Sequence, residues 1–153
     1  MSRLSEKLRT TFSRLVLEWG ISPRYQTSLP LEFRIVSAGR TKKSSRSLSG
    51  QTYDVSETGI SILSELIAAD GLHAYISNDM ITDTHLEIEL DLPKQKISLV
   101  GQTRRYQKLQ TSQLPFSYLL GIKIVNISPE DRKAFLNYIA DLKRDPKLRM
   151  PRY

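Results

Sequence analysis

The chain contains no cysteine, so it has no disulfide framework, no thiolate nucleophile and no thiolate metal site. Histidine occurs twice, as His73 and His85, and the two are not at metal-ligand spacing. His85 opens a strand-like run, and both histidines read as surface or core residues. Glu87, Glu89 and Asp91 alternate along one strand face, which reads as solvated polarity and not as a catalytic carboxylate pair. No Gly-rich loop leads from a strand into a helix, so both nucleotide fingerprints are missing. Without nucleophile, base or metal ligands the expectation is a protein that is not an enzyme, with no catalytic residue, no metal and no cofactor. Long apolar runs are absent too. Apolar residues make up 39% of the chain, and polar residues break every run well short of the roughly 20 needed to span a bilayer. The opening "MSRLSEKLRTTFSRLVLEWG" lacks an apolar core followed by a small-residue cleavage site. A cytoplasmic protein with no transmembrane segment is therefore expected.

What is present is charge, unevenly spread. The net charge is +7 over 153 residues. Residues 1–50 carry ten basic against three acidic side chains, residues 51–100 two against nine, and residues 101–153 eleven against four. Basic ends flank an acidic middle. Basic surface attracts phosphates or anionic lipid. The acidic middle, with aromatics at only 8%, argues against a binder of DNA or RNA, which needs a continuous basic track.

The hydrophobic period changes along the chain. In residues 2–19, Leu4, Leu8, Phe12, Leu15, Val16 and Trp19 fall on one helical face, which predicts an amphipathic N-terminal helix ended by Gly20 and Pro23. A helix this short is not stable alone. Its apolar face must pack on its own barrel, on a second copy in a homodimer, or on a membrane, and packing within the protein or a dimer is preferred. Residues 29–38 alternate as a strand, 39–50 read as a polar loop, and "QTYDV" and "GISIL" as two short strands. Strands follow over 85–93, 96–106 and 118–127, with "LHAYI" (72–76) a candidate short one. Ser128, Pro129, Glu130 and Asp131 form a helix start for 128–145, with Ala134, Phe135, Tyr138, Ile139 and Leu142 on its apolar face. The tail "PKLRMPRY" reads as basic and frayed. Short strands followed by one helix give a mainly β protein, a small antiparallel barrel or sandwich with a helix packed on it. The divisions are an N-terminal extension (1–21), a barrel domain with its helix (22–145) and a basic tail (146–153).

Between the two short strands stands "YDVSETGI". Asp54, Ser56 and Gly59 have spacings of two and three. Such a trio arises by chance at roughly one position in two thousand at average residue usage. As an ordinary turn, Asp54 and Ser56 would bond the backbone and Gly59 would supply a positive φ. The order of elements and this motif resemble the PilZ domain, a bacterial module that binds cyclic di-GMP. That family pairs R-x-x-x-R before the first strand with [D/N]-x-S-x-x-G on the next strand pair. Asp54, Ser56 and Gly59 match the second motif in full. "LEIELDLP", "ISLVGQTRRY" and "GIKIVNISPEDRKAFLNYI" resemble the later segments, so the likeness covers about residues 22–142.

The resemblance implies a six-stranded barrel with a C-terminal helix and a ligand site of Arg24, Asp54, Ser56 and Gly59. Arg24 would hold phosphate and guanine. Asp54 and Ser56 would bond the guanine and position the loop, and Gly59 would admit the backbone closely. The first arginine of the pattern is missing: Gly20 stands there. Arg40, Arg46 or Arg104 are secondary candidates to supply the lost charge. Two readings follow: a cyclic di-GMP receptor that relays the signal to a protein partner, or a degenerate PilZ domain that binds no nucleotide and serves as an adaptor in pilus, flagellar or exopolysaccharide machinery.

Overall fold

The computed structural model describes residues 22–38, 41–75, 84–110 and 115–151. The helix expected over 2–19, Gly20 and Arg40 lie outside the described residues.

Among the described residues there are ten strands: β1 (Tyr25–Gln26), β2 (Pro30–Ala38), β3 (Lys42–Ser44), β4 (Leu48–Val55), β5 (Gly59–Ser64), β6 (Ala68–Ala69), β7 (Leu72–His73), β8 (Thr84–Asp91), β9 (Lys96–Lys108) and β10 (Tyr118–Ile127). One helix follows, α1 (Pro129–Leu142), then a 3-10 turn at Pro146–Leu148. Six strands pair antiparallel in the order β4-β5-β10-β9-β8-β2, and β2 pairs back onto β4 through Pro30↔Gln51 to Phe33↔Leu48. That last pairing closes the barrel and removes its open edges. β1 and β3 are short additions at its rim.

Alternation drives the closure. Leu31, Phe33 and Ile35 of β2 and Leu86, Ile88 and Leu90 of β8 point into the lumen, and Glu32, Glu87 and Glu89 point out. Ile60, Ile62, Ile97, Leu99, Leu120 and Ile122 fill the same interior. α1 packs on this core through Phe135, Ile139 and Leu142. Its start is as expected: Ser128 accepts the Asp131 amide at 3.2 Å, with proline in the first turn. It ends at Leu142, a few residues earlier than the periodicity predicts, because the amides of Arg144 and Asp145 bond three residues back, to Asp141 O and Leu142 O, in place of continuing the helical ladder.

Three expectations change. The polar stretch 39–50 is not all loop: it contains β3 and the start of β4, where backbone pairing with β2 overrides the Gly/Ser/Lys composition. Among the described residues of "LHAYI", Leu72 and His73 alone are strand, paired with β6 across an Asp70–Gly71 turn whose two φ angles are 55° and 79°, the conformation an Asp-Gly hairpin favours. The described part of the tail, 146–151, is docked and not frayed. Asp145 caps the 3-10 turn, Arg149 bridges to Tyr25, and Met150 is buried against Tyr53, Leu63, Leu109 and Leu119.

Candidate functional site

β5 is buried on both faces along its whole length. Ile60 and Ile62 face the lumen; Ser61 and Leu63 face outward and are covered there as well. β4 brings Asp54 beside Ser61 by a register shift. Thr52 pairs with Ile62, but the next partners are Asp54↔Ser61 and Val55↔Ile60. Tyr53 is the extra residue of a β-bulge. Without it Asp54 would sit opposite Ile60 and face the apolar lumen. With it Asp54 joins the outer wall and Val55 takes the inner position.

Arg24 lies on the same wall. β1 pairs with β4 at Tyr25↔Val55 and Gln26↔Asp54, Tyr25 goes into the core, and the neighbouring Arg24 side chain crosses β4. Its Nε donates to Asp54 Oδ1 at 2.9 Å, Nη2 approaches the same oxygen at 2.8 Å, and Nη2 donates to Ser61 Oγ at 2.9 Å. Arg24 is 5% exposed and Asp54 0%. A buried pair of this kind holds only because both charges are matched and bonded. Asp54 Oδ2 is buried and has no hydrogen-bond partner among the described residues.

Ser56 and Gly59 build the turn beyond. Ser56 N donates to Gly59 O at 2.8 Å, and Ser56 Oγ accepts from Gly59 N at 3.1 Å and Thr58 N at 3.3 Å. Ser56 is fully buried, its hydroxyl engaged within its own turn. Gly59 has no positive φ. Glycine is required for a different reason: a Cβ there would lie 2.5 Å from Ile122 O on β10. The turn is anchored further by Thr58 O, which accepts from Ile124 N at 3.0 Å.

The fold therefore gathers Arg24, Asp54, Ser56 and Gly59, and adds Ser61. The secondary candidates separate. Arg46 sits before the opposite end of β4, roughly 25 Å from Asp54 at strand rise, and pairs with Asp70 at 3.1 Å. On β9 a second bulge leaves Arg104 as the extra residue and sets Arg105 opposite Gly121, itself opposite Ser61. Asp54, Ser61, Gly121 and Arg105 thus form one row across four strands. Gly121 contributes no side chain to it. Sequence spacing offers Arg104 and misses both Ser61 and Arg105, because pairing across strands alone places them. Among the described residues no group of three or more His, Asp or Glu side chains could hold a metal.

Residues 22–141 match the family model of the PilZ domain. No curated protein matches the chain. Among solved structures it is similar to the Bacillus subtilis inhibitor of motility MotI/DgrA, with 17% identity and a TM-score of 0.53 over 84% of this chain and 53% of that one. It thus spans about half the length of the Bacillus protein. It is also similar to the PilZ domain of YcgR from Escherichia coli, solved with c-di-GMP, with 14% identity and a TM-score of 0.53 over 79% of this chain and 88% of that one.

Proposed function

This chain belongs to the PilZ domain family, and we propose that it is a cytoplasmic, non-enzymatic receptor that binds cyclic di-GMP at the Arg24–Asp54 wall and relays occupancy to a protein partner. One observation carries the reading: Asp54 Oδ2, buried and lacking a partner among the described residues, beside an arginine that holds the other carboxylate oxygen. A buried acceptor left unmade costs about 1–3 kcal/mol. The guanine edge, with its N1–H and exocyclic amine, offers the donors that a carboxylate oxygen takes. Arg24 supplies a planar fork suited to guanine O6 and N7 or to phosphate. Ser56 and Gly59 act by fixing the turn. Arg105, in the same row, would add positive charge toward a phosphate. The ligand solved with the Escherichia coli domain is the one this motif would take.

A second reading rests on Gly20 in place of the first motif arginine and on the commitment of Arg24 to Asp54 and Ser61. In it the domain is an adaptor that binds no nucleotide and acts through a protein partner in pilus, flagellar or exopolysaccharide machinery. Calorimetry with cyclic di-GMP at low micromolar protein separates the two. Heat of binding in the parent that disappears in Asp54→Asn supports the receptor; no heat in the parent supports the adaptor.

A further inference from the structure

The main chain of Arg24 is held from two sides. β4 pairs with the residues that follow it, Tyr25 and Gln26. The C-terminal segment takes the other side: Met150 N donates to Arg24 O at 2.8 Å, and Arg149 bridges antiparallel to Tyr25. The Met150 side chain is 6% exposed and packs with Tyr53, Leu63, Leu109 and Leu119. Two of these are tied directly to the site. Tyr53 is the bulge residue before Asp54. Leu63 lies two positions after Ser61, on the same face of β5. One residue therefore bonds the Arg24 backbone with its amide and shares an apolar cluster with the chain neighbours of Asp54 and Ser61.

We propose that Arg149–Met150 form a strap whose docking and the seating of Arg24 on Asp54 are one cooperative unit, with Met150 as the positioning residue. Among the described residues the strap joins the barrel through the antiparallel bridge at Tyr25, which includes the Met150–Arg24 hydrogen bond, and through one buried apolar side chain. Segments with few buried contacts open at lower free energy than the core. If the strap opens, the Arg24 main chain loses a neighbour and its guanidinium leaves Asp54 more readily. If Arg24 is drawn from Asp54, the carbonyl that Met150 bonds moves with it. Linkage makes the effect reciprocal. The strap follows the 3-10 turn beyond α1 and so carries the state of the site to the C-terminal end of the fold. For the ligand, this rests on the receptor reading above; for the unliganded protein it rests on the contacts alone.

The test uses the full chain in solution NMR. Exchange of the Arg24 Nε–H is measured in the parent, in Met150→Ala and in Met150→Leu. The expected result is exchange faster by about tenfold or more in Met150→Ala, as for a local opening. Met150→Leu should stay near the parent, and the amides of Ile88 and Leu99 in the barrel core should be unchanged in both. Unchanged Arg24 exchange in Met150→Ala overturns the proposal, as does an equal acceleration of the core amides. From the other end, the Met150 ε-methyl, one of three methionine signals, should move toward an exposed methionine position in Asp54→Asn. A fixed signal overturns the linkage. Cyclic di-GMP is then added with calorimetry in parallel. Binding with no response at Met150 overturns the coupling to ligand. No binding overturns the receptor reading, and the two variants still decide the strap.

Discussion

Arg24 and Asp54 stand thirty residues apart in the chain and 2.8 Å apart in the fold, both buried, joined at one carboxylate oxygen. The contact is structural before it is functional. It ties the segment ahead of the barrel to its outer wall, and it sets the geometry that any ligand would meet.

Breaking this pair from one side leaves a buried charge without its partner. Arg24→Ala is expected to destabilise the fold by about 3–5 kcal/mol. Adding Asp54→Asn in the same protein removes the stranded charge and should recover part of the loss. Urea denaturation of the parent, the single and the double variant measures both effects. A double variant no more stable than Arg24→Ala would show that the pair does not act as one unit.

Ser56→Ala should lower stability by about 1–3 kcal/mol, since the amides of Thr58 and Gly59 lose their acceptor. Cyclic di-GMP affinity at a temperature where the variant is folded should change little, because the hydroxyl is turned into its own hairpin. Asp54→Asn should lose binding and also cost about 3–5 kcal/mol, because it strands the buried Arg24 guanidinium. Equal loss of binding in both variants would place Ser56 on the ligand.

Gly59→Ala introduces a methyl group 2.5 Å from Ile122 O. The neighbour is backbone in a paired strand and cannot swing aside. The expected cost is about 1–3 kcal/mol from overpacking, read as a lower melting temperature. An unchanged melt would mean that β5 and β10 separate without cost at that point.

Phe135→Ala tests whether α1 belongs to the barrel core. Phe135 is 1% exposed among lumen residues, and truncation should cost about 3–5 kcal/mol. Thermal denaturation followed by circular dichroism should show helix and strand signals lost together. Early loss of helix alone would make α1 a separable appendage.

Gly20→Arg restores the arginine pattern. Each guanidinium contact to a guanine edge contributes about 1–3 kcal/mol, so the variant should bind cyclic di-GMP roughly tenfold more tightly or better. Calorimetry of the two proteins side by side decides it. Equal affinity would mean that position 20 does not reach the ligand.

The sequence by itself determined what depends on near neighbours. Alternation in "PLEFRIVSA" and "THLEIELD" marks strands because side chains two apart share a face. Ser128–Pro129 marks a helix start because capping is a local exchange of hydrogen bonds. The Asp54, Ser56 and Gly59 pattern marks a turn that closes within four residues. Only the tertiary structure decided what depends on register. Ser61 joins Arg24 and Asp54 because a bulge at Tyr53 shifts the pairing by one residue, and a shift of one moves a side chain to the other face. Arg105 stands in the row with Ser61 for the same reason, two strands away. The tail, too polar to announce burial, docks because Met150 finds an apolar patch assembled from β4, β5, β10 and Leu109, the residue after β9. No local periodicity encodes these placements: each rests on strands brought together from distant parts of the chain, and closing the barrel fixes their register.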